Sequence, residues 1–349
     1  MSLPLRLATI ATITGLLFAQ PSSQQTYSSC SPLTQSCPAD PALGRSISVD
    51  FTSGSSNEFT GLGNPTYDSN GAGFTVTQGG DAPQINSNWY IMFGKVEIVM
   101  KAAPGVGIVS SVVLQSDDLD EIDWEWLGAN NDEVQTNYFG KGDTTTYDRG
   151  GTSQVSDTQG EWHTYTIEWT EEQIVWSIDG TTARVLGVAD ADTNQYPQTP
   201  CQLKIGSWSA GDPSNPQGTV TWAGGPTDYS QGPFTMYVQS VSVVDYSTGS
   251  QYIYGDQSGD WDSIESKGGR VNGNVGGTWS NTPTPADDAP TSSGSIVPFY
   301  ESSQASATAS YTSYPGLPSG WSVNPTTGKV IPPSSAPVSK HHPSSSFSA

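Results

Sequence analysis

The run LDEIDWEWL, from Leu119 to Leu127, holds the side chains best suited to chemistry. In an extended strand successive side chains point to opposite faces, so Glu121, Asp123 and Glu125 share one face and Ile122, Trp124 and Trp126 the other. Like charges on alternate strand positions repel, and sheet propensity does not ask for acids there. Glycosidic bond chemistry would use them: one carboxylate attacks the anomeric carbon and a second carboxyl protonates the departing oxygen. Glu121 and Glu125 are the natural pair. Asp123, between them, would orient the nucleophile Glu121 through a hydrogen bond. Mutual repulsion would separate the carboxyl pKa values, leaving Glu125 proton-bearing and Glu121 ionised. Retaining enzymes hold the two carboxyls roughly 5 Å apart, whereas four residues of strand separate backbones by about 13 Å, so the spacing leaves an inverting arrangement open. A solvated acidic face, or calcium held by clustered oxygens, also stays open on these nine residues alone.

The elements that must position this strand read as further strands. Apolar alternation and β-branched runs occur at 46–51, 73–77, 95–101, 107–115, 134–139, 162–169, 174–179, 202–208 and 235–245, punctuated by Gly, Pro, Asp and Asn. His163, Tyr165, Ile167 and Trp169 alternate with Thr164, Thr166 and Glu168, and Ile174, Trp176 and Ile178 repeat the pattern, which predicts antiparallel pairing through the turn at 170–173. No stretch keeps a helical period over three turns and no fixed-length repeat is present. The fold class is therefore all-β, a sandwich of two sheets with facing apolar sides.

Alternation also nominates substrate contacts. Lys204, Gly206 and Trp208 share a face, with the glycine leaving room for a sugar. Gln135 and Tyr138 lie on a run that should neighbour the catalytic strand, and Trp222 precedes an Ala-Gly-Gly turn where it would either stack on a sugar ring or plug the core.

Residues 1–19 read as a secretory signal peptide: one basic residue, Arg6, then an apolar stretch from Leu7 to Phe18 and a small residue, Ala19, suited to cleavage. Residues 20–279 form the catalytic domain. From Ser280 to Ala349, Ser, Thr, Pro and Ala dominate, which predicts a disordered, O-glycosylated tail. Secretion permits disulfides, and Cys30 pairs by default with Cys37 across a short Pro-containing loop, leaving Cys201 buried and inert. With 34 acidic against 12 basic residues and a net charge of -22, nucleic acid is excluded as a partner and a neutral polymer is favoured. Polysaccharide fits, and 11 Trp with 15 Tyr supply flat apolar rings for it. No transmembrane segment is expected, nor any metal or organic cofactor, and the protein is read as a monomer.

Five segments in order carry a resemblance: DEIDWEWLG at 120–128, QTNYFGKG at 135–142, EWHTYTIEWT at 161–170, YPQTP at 196–200, and WAGG followed by GPFTMY at 222–237. Between Cys30 and about Ile264 the chain resembles the secreted fungal Crh-type chitin-glucan transglycosylases of glycoside hydrolase family 16. The resemblance implies a concanavalin-like β-jelly-roll whose curved sheet forms the sugar cleft, with Glu121 as nucleophile, Asp123 as its assistant and Glu125 as acid/base. It implies chitin as donor, β-glucan or chitin as acceptor, and substrate contact by Lys204, Trp208 and Thr219. Some members carry a cysteine-rich chitin-binding module, which three cysteines cannot supply. Many members also end in a hydrophobic tail that directs a GPI anchor, and no such signal is seen in the last residues of this sequence.

Overall fold

The computed structural model describes residues 28–146, 148–277, 322–323 and 330–331. The chain opens with β1 (Asp40–Pro41), β2 (Ser46–Asp50), β3 (Phe59–Leu62), β4 (Thr66–Asp68) and β5 (Gly71–Val76). The long strands β6 (Gln84–Ile91), β7 (Gly94–Lys101), β8 (Ile108–Ser116), β9 (Glu121–Leu127) and β10 (Glu133–Phe139) follow. Next come β11 (Gly151–Gln154), β12 (His163–Trp169), β13 (Gln173–Ile178), β14 (Thr181–Gly187) and β15 (Cys201–Ser209). One short helix, α1 (Gln217–Trp222), precedes β16 (Phe234–Asp245), β17 (Gln251–Tyr254) and β18 (Ile264–Ser266). Two further pairs of residues, β19 (Ser322–Val323) and β20 (Val330–Ile331), form a small ladder.

Two antiparallel sheets make the sandwich. One runs β11-β10-β9-β8-β15-β6-β3; the other runs β14-β13-β12-β7-β16-β5-β4, with β2 also paired to β16. This is the expected all-β jelly-roll. The β12–β13 hairpin pairs Trp169 with Ile174 as its alternation requires.

The acidic strand β9 is interior, hydrogen-bonded to β8 on one side and β10 on the other. Its apolar face explains why it sits there. Trp124 and Trp126 are fully buried, their rings stacked 6.2 Å apart, and Tyr165 of the opposite sheet meets them edge-on at 5.4 and 4.6 Å. Such edge-to-face pairs add about 0.5–1.5 kcal/mol each beyond area burial. Trp176 of β13 reaches across and donates its indole N–H to the Asp123 carbonyl at 3.2 Å. Arg184 of β14 stacks on Trp176 and Tyr138 and donates to the Thr136 carbonyl at 3.0 Å, pinning β10 to the opposite sheet.

Cys30 and Cys37 form the expected disulfide, with Cα atoms 5.9 Å apart, and Cys201 is a buried free thiol. The expected signal peptide at 1–19 lies outside the described residues, as does most of the tail from residue 280. Within the tail, Ser322–Val323 and Val330–Ile331 pair as β19 and β20. Among the described residues no helix is long and apolar enough to cross a membrane.

Candidate active site

Cross-strand register builds the site row by row. Residues 117–120 turn β8 into β9: the Asp120 amide donates to Ser116 Oγ at 2.8 Å and Leu119 takes a left-handed φ of 67°. Across this hairpin Gln115 pairs with Glu121, Val113 with Asp123 and Ser111 with Glu125. On the far side β10 sets Phe139, Asn137 and Gln135 opposite the same three acids. β15 extends the rows, placing Gln202 beside Gln115, Lys204 beside Val113, Gly206 beside Ser111 and Trp208 beside Val109. Directly paired residues point to one side of a sheet, so these side chains share the face turned away from the tryptophan core.

The same register moves one expected contact. Tyr138 pairs with Ile122, not with an acid, and is only 4% exposed beneath Arg184. It belongs to the core side, and Asn137 takes the position on the acidic face. Gln135 and Tyr138, three apart on a strand, cannot both face the carboxyls.

Asp120, just before β9, is a structural carboxylate with no exposed surface. It accepts from the Lys141 amide at 2.9 Å, the Gln198 amide at 2.7 Å and Thr199 Oγ1 at 2.8 Å. The start of the acidic strand is thereby tied to the loops that follow β10 and precede β15.

The three acids are not solvated. Glu121, Asp123 and Glu125 are 5%, 1% and 9% exposed, which rules out a merely hydrated acidic face. Glu121 accepts from Gln115 Nε2 at 2.8 Å and is hydrogen-bonded to Asp123. Gln115 in turn accepts from Lys204 Nζ at 2.6 Å. One carboxyl oxygen of Asp123 has no partner. Among the described residues, no group of three or more His, Cys, Asp or Glu is arranged to hold a metal ion.

Burial dominates the electrostatics. It lifts Glu121 to about 7, against the opposing pull of the Asp123 and Gln115 hydrogen bonds and the Lys204 charge. Glu125 rises to about 8, again by burial first and then by the charge of Glu121. Asp123 rises well above the usual carboxylate range, through burial, both glutamates, and its role as donor to Glu121. The order is the one a nucleophile and a proton donor need: Glu121 ionises first, while Glu125 keeps its proton.

Residues 54–224 match the model for glycosyl hydrolases family 16. The chain is 58% identical over 341 residues to Crh-like protein 4 of Botryotinia fuckeliana, spanning 93% of this chain and 90% of that protein. This chain belongs to glycosyl hydrolase family 16. Within the family it is also 59% identical over 272 residues to Crh-like protein 4 of Aspergillus fumigatus, a match that spans 60% of that longer protein. A solved structure described as Crh5 transglycosylase in complex with NAG is 51% identical, covers 68% of this chain and 100% of its own, and superposes with a TM-score of 0.67.

The remaining nominated residues of this family 16 domain gather at the Glu125 end of the rows. Trp208 and Trp222 are half-buried and pack with Leu127 against Val109, Ala210 and Ala223. Trp222 Nε1 donates to Gln135 Oε1 at 3.0 Å, and Trp208 Nε1 is buried without a partner. Thr219 and Trp222, three apart on α1, share one side of the helix. Trp222 is thus half-buried beside Gln135, its indole N–H engaged by that amide. Gly206 has a different cause from the one expected. A Cβ there would lie 2.6 Å from both Pro83 O and Gln84 Cβ, so the close approach of β6 demands glycine. Sequence reasoning missed Gln115 and Asn137, both of which follow from register: a hairpin closed by residues 117–120 places Gln115 opposite Glu121.

Proposed function

We propose that this protein is a retaining transglycosylase that cuts chitin and transfers the new end to a β-glucan or chitin acceptor in the fungal cell wall. The observation that carries the reading is the buried row of Glu121, Asp123 and Glu125 on one strand face, with Glu121 held by two hydrogen bonds that favour its charge and Glu125 raised by burial and by Glu121. The similarity to a solved transglycosylase bound to NAG supports the reaction class and the sugar.

In the first step Glu125 gives its proton to the glycosidic oxygen as the bond to the anomeric carbon breaks, and Glu121 forms the glycosyl ester. Asp123, bearing a proton, donates to Glu121 and keeps it charged and aimed until attack. In the second step Glu125, now ionised, takes the proton of an acceptor hydroxyl, whose oxygen bonds to the anomeric carbon and frees Glu121. Gln135, Lys204, Trp208, Thr219 and Trp222 serve as sugar contacts, the two indoles offering apolar faces at the Glu125 end. The enzyme is secreted to the wall and needs no metal.

Product analysis with a chitin-oligosaccharide donor and a labelled β-glucan acceptor tests the proposal. The expected product is label joined to chitin, absent with Glu121→Gln. Shortened donor chains with free reducing ends as the sole product, at saturating acceptor, would overturn transfer in favour of hydrolysis.

A further inference from the structure

Gln115 has no part in the two-carboxylate scheme, yet it is the side chain that touches the nucleophile from the neighbouring strand. It is 2% exposed, and both ends of its amide are used: Nε2 donates to Glu121 Oε2 at 2.8 Å, and Oε1 accepts from Lys204 Nζ at 2.6 Å. An amide can be turned either way, and turned over it would present its oxygen to Glu121. The lysine removes that freedom. An ammonium group only donates, so it holds Oε1 toward itself and leaves the NH2 aimed at the carboxylate.

We infer that Gln115 is a positioning residue for Glu121, and that Lys204 acts through it by fixing which way the amide points. Lys204 lies on β15, one strand beyond Gln115 on β8 and two beyond Glu121 on β9, so the three make a relay across the sheet. The relay rests on Glu121 being the nucleophile. It gives Lys204 a second task beside sugar contact, because an ammonium has three donors and Gln115 uses one. Glu121 then receives a hydrogen bond whose polarity favours its charged form at every stage before attack. The Lys204 charge acts in the same direction. Asp117 and the buried Cys201 thiol also act on Lys204, and Tyr90 donates to Asp117 at 3.1 Å.

The test compares Gln115→Met, Lys204→Met and the double variant in the intact chain, with Gln115→Met chosen because it keeps length and loses both polar atoms. Loss of a hydrogen bond to a charged group predicts a fall in kcat of about tenfold to a hundredfold for Gln115→Met. KM should stay within about twofold, and the acidic limb of kcat/KM should move up by about one pH unit. Lys204→Met should move that limb the same way, through the amide and through the loss of its own charge, and the double variant should move it by less than the sum of the two single shifts. A raised KM with an unmoved limb, or additive shifts in the double variant, would overturn the relay. If Gln115→Met does not fold, the Lys204→Met limb decides: an unmoved limb rejects the inference. Carbon-13 titration of the glutamate side chains gives a readout that needs no turnover. There the Glu121 midpoint must rise in Gln115→Met, whereas failure of the transglycosylase reading would appear as absent product from the unaltered protein.

Discussion

Replacing Asp123 by Asn tests the proton that the site assigns to this residue. Asp123 stands two residues from each glutamate on β9, and two residues of strand span about 6.6 Å. At an effective dielectric of about 20, unit charges at that separation interact by about 2.5 kcal/mol, equivalent to nearly two pKa units, or about 1.85. If Asp123 were ionised in the free enzyme, Asp123→Asn would remove this repulsion and draw both limbs of the pH profile down by about that amount. Burial and both glutamates push Asp123 well above the usual carboxylate range, which favours a protonated carboxyl donating to Glu121, so Asn presents a similar N–H and removes no charge. Both limbs of kcat/KM should therefore stay within about half a pH unit of their positions near 7 and 8, set by Glu121 and Glu125. The assay is transfer to a labelled acceptor at limiting donor across pH 5 to 10. A downward movement of about two units in either limb would refute the neutral Asp123 and the division of labour built on it.

Glu121→Gln should abolish turnover while preserving glycan binding. It should also lower Glu125, which the Glu121 charge holds up, as carbon-13 titration would show. Trp222→Ala removes the donor to Gln135 and a half-buried wall. KM for the oligosaccharide should rise about tenfold, with a lower melting temperature from the lost packing and hydrogen bond, and a fall in kcat alone would exclude a binding role. Asp40, buried beside Asp117 and Asp118, is pushed up to about 8. The native state then keeps a proton that the unfolded chain releases near pH 4, so unfolding free energy falls as pH rises from about 4 to 8, by at most about 1.4 kcal/mol per unit for this group. Calorimetry should find a higher melting temperature at pH 5 than at pH 8, and a smaller difference in Asp40→Asn.

The acidic strand was legible because period-two alternation survives there in its starkest form, acids against Ile and Trp. The core strands β7, β12, β13, β15 and β16 were legible for the same reason, and β8 as a run rich in Val and Ile that is buried throughout. β6 was not, because Ser87 breaks its inward row of Ile85, Trp89 and Ile91. The edge strands β3, β11 and β14 carry few apolar residues to mark them. Tyr138 was misassigned because residue type was allowed to outweigh face, and the register with Ile122 corrects it. Gln115 was invisible for a deeper reason: its importance lies in which residue stands opposite it on another strand. The glycine at 206 likewise answers to the distant backbone at Pro83 and Gln84, which the sheet brings against it and no local spacing encodes.

The double enclosure of β9, hydrogen-bonded along both sides and locked beneath by two tryptophans, has an evolutionary consequence. Its backbone can hardly drift without dislodging the acids, so a lineage exploring new polymers would have to vary the flanks: β6 and β3 at one margin, α1 at the other. Diversification in this scaffold should be a matter of changing the shoulders around an unmoving spine.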